Sequence, residues 1–143
     1  MHSFFVAFCL LPMVISKAQE STTQPIDVVN ARNRALNAHD LDAFLATYAE
    51  DVVIYVYPSR EIGRGKRHIA KIFSPFIDAK DVRTSVKKTM VADGFVVVDS
   101  VTTFGKKSEE GVAIYEVRNG LIKTVRFLRD TLRAKQTDAN DAN

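Results

Sequence analysis

The chain has 143 residues, with 20 Lys and Arg against 17 Asp and Glu for a formal charge of +3, and a single cysteine. That length supports one domain with one core rather than two. The charge excess is too small for a nucleic-acid-binding surface, and one cysteine excludes a disulfide framework within the chain.

Residues 4–15, FFVAFCLLPMVI, are apolar and uncharged but too short to span a bilayer as a helix. Ser16-Lys17-Ala18 puts small residues at the two sites a signal peptidase reads, so the segment reads as an export signal cleaved after Ala18. Cleavage removes Cys9 and Lys17, leaving 19 basic against 17 acidic residues and no thiol. No later hydrophobic run is long enough for a membrane span. The expected division is a signal peptide over 1–18, one domain over 19–132 and a disordered polar tail over 133–143, in a protein that is secreted or periplasmic.

Pro25 and Asp27 suit the first turn of a helix running to about Asn37. Val28, Val29, Ala35 and Leu36 share one apolar stripe, and Arg32 falls in its middle. A guanidinium there must pair with an acid such as Asp99 or Asp51, meet an anionic ligand group, or reach out of the core on its aliphatic stem. Asp40 is the N-cap of a second, short helix, with Leu41, Phe44, Leu45 and Tyr48 at i, i+3, i+4 and i+7. Tyr48 closes that face as either a core or a pocket residue.

Residues 52–57, VVIYVY, are all β-branched or aromatic, the pattern of a strand covered on both faces. Pro58-Ser59 breaks it, and a short strand over 60–62 leads to the turn Gly63-Arg64-Gly65. A third helix follows with Ile69, Ile72, Phe73 and Phe76 on one face, and Pro75 should end or kink it near Ser74. Arg60, Arg64, Lys66, Arg67 and Lys71 cluster around that turn without interleaved aromatics, as a solvated rim does. From Val82 onward the period becomes strand-like, predicting strands over 82–92, 95–104, 111–118 and 121–129. Asp93-Gly94 and Asn119-Gly120 are tight hairpin pairs, and 105–110 reads as a longer charged loop. Strands joined in this way are antiparallel neighbours. The fold class is therefore α+β, three N-terminal helices packed on one face of a curved antiparallel sheet.

Three segments carry a resemblance: residues 35–49 (ALNAHDLDAFLATYA), 65–73 (GKRHIAKIF) and 115–127 (YEVRNGLIKTVRF). In this order and spacing the chain resembles the nuclear transport factor 2-like superfamily, in its SnoaL-like branch, which also holds ketosteroid isomerases. The resemblance implies a cone-shaped fold over the whole mature domain. It implies no single activity, because the superfamily spans isomerases, dehydratases, cyclases and non-catalytic binding domains. The isomerases use a carboxylate base, with a tyrosine and a protonated acid as oxyanion hole. Carried onto this sequence, the tyrosine position falls at Arg32, the base at Val56 (or Tyr57 with a one-residue slip) and the acid at Ala113. A valine cannot abstract a proton and an alanine cannot donate one, so that mechanism is not supported.

Alternation from Ala113 turns Tyr115 and Val117 inward, with Val125 and Phe127 on the last strand. Together with Tyr48, Tyr55, Phe73 and Phe76 they compose either a filled core or a cavity suited to a small apolar or aromatic molecule. Asp99 is open to either face of its strand. The expected ligand-binding set is Arg32, Tyr48, Tyr55, Phe73, Asp99, Tyr115 and Phe127. Catalytic residues are unassigned. His68 is the one histidine in a plausible site, and His39 sits in the turn between helices. With no nucleophile–base pair and no metal-ligand spacing, neither metal nor cofactor is expected.

Two functions fit: an exported domain that binds a small ligand without the isomerase mechanism, or an isomerase, dehydratase or cyclase using Tyr55, Arg32, Asp99 or His68. An interaction role through the outer sheet face is a third. Relatives of this fold commonly dimerise through that face, and its alternating Val, Thr and aromatic residues call for cover, so a homodimer is expected.

Overall fold

Pro25 opens the first helix at a position where a missing N–H costs nothing, and Asp27 adds an acid to its first turn. The structure, a computed structural model, describes residues 23–128; the expected signal segment and polar tail lie outside them. In chain order the elements are α1 (Pro25–Ala38), α2 (Leu41–Ala46), β1 (Tyr48–Val56), β2 (Arg60–Arg64), α3 (Lys66–Asp78), β3 (Val82–Ala92), β4 (Phe95–Phe104), β5 (Lys107–Arg118) and β6 (Leu121–Phe127).

His39 ends α1 in the left-handed region at φ 58°, and the His39 and Asp40 amides bond the Leu36 and Ala35 carbonyls at 3.1 and 3.0 Å. The His39 ring then ties this turn to the rest of the fold. Its Nδ1 donates to the Ile77 carbonyl at 2.9 Å, which leaves Nε2 to accept from Arg83 Nη1. Asp40 Oδ1 accepts from the Ala43 amide at 2.9 Å and starts α2 as its N-cap.

The helix α2 is only six residues long, because the Thr47 hydroxyl bonds the Phe44 carbonyl at 2.7 Å and the Ile122 amide bonds the Thr47 carbonyl at 2.9 Å. These bonds draw the chain into the sheet four residues before the apolar run begins. Tyr48 is therefore the first residue of β1 rather than the last of a helical face.

The six strands form one sheet in the order β2-β1-β6-β5-β4-β3. All neighbours are antiparallel except β1 and β6, which run parallel, so the sheet is mixed where the local hairpins alone implied an antiparallel one. That pair joins strands far apart in sequence, and no turn residue announces it. Cross-strand rows such as Val98–Ala113–Phe127–Val56 and Val96–Tyr115–Val125–Ile54 face the helices. Against them pack Val28, Val29 and Leu36 of α1, Phe44 of α2, and Ile69, Phe73 and Ile77 of α3.

Other boundaries differ as well: β2 runs on to Arg64, with Gly63 and Arg64 paired to β1 where a turn was expected, and the α3 end and β5 start also move. Helix α3 continues through Pro75 to Asp78. The proline removes one amide, whose partner carbonyl belongs to exposed Lys71, while Ile77 extends the buried Ile69–Phe73 stripe by another turn. Strand β5 begins at Lys107, paired directly with Phe104, so the expected six-residue loop is a two-residue turn at Gly105-Lys106 with Gly105 at φ +59°.

The β3 edge is tied to α1 by one side chain. Asn37 Oδ1 accepts from the Thr84 amide and Asn37 Nδ2 donates to the Thr84 carbonyl, both at 2.8 Å. This pairing satisfies backbone groups that an edge strand leaves open, and it holds α1 over the inner face of β3 and β4.

Candidate functional site

A cavity of about 90 Å³ lies between the helices and the inner sheet face. Helix α1 supplies Arg32 and Leu36, α3 supplies Phe73 and Phe76, β4 supplies Ser100, Thr102 and Phe104, and β5 and β6 supply Glu109, Ala113, Tyr115 and Phe127. The lining grades from buried Arg32 and Tyr115 at one end to half-buried Thr102, Phe104 and Glu109 at the other. Aromatic rings run the same way, Phe44 to Phe73 at 5.0 Å, Phe73 to Phe76 at 5.9 Å and Phe76 to Phe104 at 5.9 Å.

Arg32 is only 4% exposed. Its Nε donates to the Tyr48 hydroxyl at 3.0 Å and its Nη1 to Asn33 Oδ1 at 2.8 Å. The guanidinium carbon lies 4.9, 5.4 and 5.5 Å from the ring centres of Phe44, Phe73 and Tyr115, within cation–π range of all three. Burial pushes the Tyr48 phenol up to about 12, against the opposing pull of Arg32, so it stays a neutral partner near neutral pH. No carboxylate bonds Arg32 among the described residues. The side chain thus neither pairs with an acid nor snorkels to the surface. It is a buried cation held by neutral groups.

Among the described residues Nη2 has no hydrogen-bond partner, and no buried side-chain nitrogen or oxygen is left unbonded. Nη2 is therefore open to the cavity that Arg32 lines.

Of the seven expected ligand-binding residues, Arg32, Phe73, Tyr115 and Phe127 line the cavity. Tyr48 lies behind them, fully buried and reaching the site only through Arg32. The structure does not bring Tyr55 and Asp99 to it. Tyr55 is out of phase with inward-facing Ile54 and Val56, and Arg126 stacks over its ring at 4.9 Å on the outer sheet face. Asp99 lies between inward Val98 and Ser100, so alternation turns it outward beside Lys88 and Val112. Asp51 is also away from the cavity, exposed on β1 and bonded to Lys123 Nζ at 2.6 Å, which holds its carboxyl below the usual range.

His68 is a structural residue. Its Nε2 donates to the Ile62 carbonyl at 3.1 Å, and its ring lies so close to Gly63 that a Cβ there would fall 2.2 Å from it. The basic rim is partly neutralised, with Arg64 on Glu61 and Lys66 on Glu50, each at 2.7 Å. Among the described residues no His, Cys, Asp and Glu cluster is placed to hold a metal ion, and no helix is long and apolar enough to cross a membrane.

The sequence reading missed Glu109, Ser100, Thr84 and Thr102. The Thr84 and Thr102 hydroxyls bond each other at 3.0 Å. Glu109 faces inward with Gly111, Ala113 and Tyr115, and no hydrogen bond or ion pair engages it among the described residues. Extending the alternation back from Ala113 through Gly111 would have found it, had 105–110 been read as a two-residue turn.

A conical α+β fold, helices on one face of a curved sheet and a cavity between them, defines the nuclear transport factor 2-like class. The SnoaL-like domain family matches residues 29–125, and the chain belongs to that family. Among solved structures it is similar to an NTF2-like protein of unknown function from Cytophaga hutchinsonii, with TM-score 0.65, 16% identity, and 81% of this chain and 98% of that one covered. It is similar to a computationally designed 17-OHP binder, with TM-score 0.64, 22% identity and coverages of 76% and 92%. It also resembles an LEH-like epoxide hydrolase from M. tuberculosis, with TM-score 0.59, 24% identity and coverages of 74% and 82%. A comparison with curated proteins found no match.

Proposed function

We propose that this chain is an exported SnoaL-like domain that binds a small apolar or aromatic molecule in its cavity, without the ketosteroid isomerase mechanism. The observation that carries the reading is the cavity wall, in which Phe73 and Phe76 of α3 face Phe104, Phe127, Ala113 and the hydroxyls of Ser100 and Thr102 on the sheet. The isomerase base and acid positions, as carried over by resemblance, are Val56 and Ala113, which share a cross-strand row with Phe127. A designed 17-OHP binder of this fold lends support to the binding role.

The test is thermal stabilisation by small planar aromatics such as indole. Saturating ligand should raise the melting temperature of the wild type, by linkage. Ala113→Leu, which fills the cavity from the sheet side, should fold and lose that response. An equal response in both proteins would place any binding elsewhere.

A second reading, an isomerase, dehydratase or cyclase, is favoured by one observation: Arg32 and Glu109, which has no bonded partner among the described residues, line the same cavity. Of the four residues first considered for catalysis only Arg32 remains in the site, and Glu109 takes the place of a candidate base. Turnover of a substrate that is lost in Glu109→Gln would favour this reading over binding alone.

The proposal includes loss of residues 1–18 on export and a homodimer. Supporting the dimer, the sheet face opposite the helices carries a row Met90–Val97–Ile114–Arg126–Tyr55, with Met90 63% exposed. Intact mass and light scattering on protein from its native host should show a chain starting at residue 19 and a dimer mass. A retained Met1, or a monomer at high micromolar concentration, would remove the corresponding part.

A further inference from the structure

Building a guanidinium into an apolar core costs solvation, and among the described residues no carboxylate offsets it. The partners that Arg32 has are chosen to hold it rather than to neutralise it. Tyr48 and Asn33 fix Nε and Nη1, and three ring faces fix the plane of the group. One terminal nitrogen, Nη2, remains open toward the cavity. A positioned cation with an unused donor, at the buried end of an apolar cleft, is half of a charge-assisted pair.

We infer that the ligand of this cavity is a small organic monocarboxylate, its carboxylate seated against Arg32 and its apolar body lying between Phe73, Phe76 and Phe127. This rests on the binding role proposed above and narrows it to a chemical class. The body is required because the wall between Arg32 and the half-buried end is mainly apolar, so an inorganic anion would leave it uncovered. The acid at the far end adds a constraint. Glu109 disfavours a second negative group there, so a dicarboxylate is the wrong shape of charge.

Titration calorimetry with benzoate, its neutral isostere benzamide and acetate tests each part. Benzoate should bind about 10- to 100-fold more tightly than benzamide, the ratio expected for one hydrogen bond to a charged group. It should exceed acetate as well, because acetate lacks the body. Arg32→Met leaves the buried Tyr48 hydroxyl without its partner and should melt lower, while Arg32→Met with Tyr48→Phe should recover most of that loss; both should lose the preference of benzoate over benzamide. A second readout needs no variant that folds: the Arg32 Nε–Hε resonance of the wild type should shift with benzoate and not with benzamide.

Equal binding of benzoate and benzamide would overturn the carboxylate inference and leave the binding role standing. Equal binding of acetate and benzoate would overturn the apolar body. A resonance unmoved by bound benzoate would also overturn the inference. Absence of binding by benzoate, benzamide and indole alike would overturn the inference and the binding role together.

Discussion

Phe44→Ala should cost about 3–5 kcal/mol of stability, the range for emptying a large buried aromatic site. The Phe44 ring is fully buried and sits 5.2 Å from the Tyr48 ring, 5.0 Å from the Phe73 ring and 4.9 Å from the Arg32 guanidinium carbon. Removing it opens a cavity where α1, α2 and α3 meet the sheet and strips one ring face from a buried cation. Neither loss is readily repaired, since α2 is capped at both ends by Asp40 and Thr47 and cannot slide inward. A domain of this size has only about 5–15 kcal/mol in total, so the variant should melt far lower, by roughly 4–8 °C per kcal/mol. Leu45→Ala on the same helix, half-buried in the wild type, should cost much less. Chemical denaturation of both variants checks the ranking. A Phe44→Ala loss below about 1 kcal/mol would mean that the three-helix contact is not where the core is held.

Tyr48→Phe should destabilise by about 1.5–3 kcal/mol although it deletes one oxygen, because it leaves the buried Arg32 Nε without its acceptor at 3.0 Å. Arg32→Met combined with Tyr48→Phe should recover most of that loss, since both polar groups then leave the core together. The pair therefore calls for a double-mutant cycle, with an expected coupling well above additivity. The same contact has a pH signature. The folded-state Tyr48 value is raised to about 12 against an ordinary 10.0, chiefly by burial, so above pH 10 the unfolded chain releases this proton first. Its stabilising contribution is complete below that pH and declines as pH rises toward 12, at up to about 1.4 kcal/mol per unit. Tyr48→Phe should show a correspondingly shallower alkaline decline. Identical slopes for the wild type and the Phe variant between pH 10 and 12 would show that Tyr48 titrates alike in both states.

Both experiments probe the same few residues, and these were visible in the sequence to different degrees. Arg32 stood out because a charge interrupts an apolar helical stripe, a local pattern that needs no fold to be recognised. Its setting did not. Tyr48, Asn33, Phe73 and Tyr115 come to it from three elements besides its own turn, and the absence of a bonded carboxylate is a fact of their packing. Tyr48 was assigned to a helical face because i, i+3, i+4 and i+7 were satisfied, and the competing Thr47 cap and Ile122 bond are long-range or side-chain events.

Within the described residues, the sequence by itself determined the element order, the Asp40 N-cap, the Asp93-Gly94 and Asn119-Gly120 turns, the α+β class, and the shared faces of Ala113, Tyr115 and Val117 and of Val125 and Phe127. Each of these follows from periodicity or turn chemistry within about ten residues, where the backbone period dictates which side chains share a face. The tertiary structure alone decided the parallel β1–β6 pairing, the outward placement of Tyr55 and Asp99, and the Asn37 link that holds α1 over the cavity. Face parity in a strand flips with a one-residue change of register, and register here was set by partners up to about 70 positions away. A single alternating strand records which residues share a side, but only its neighbours and the helices above them decide which side is the cavity.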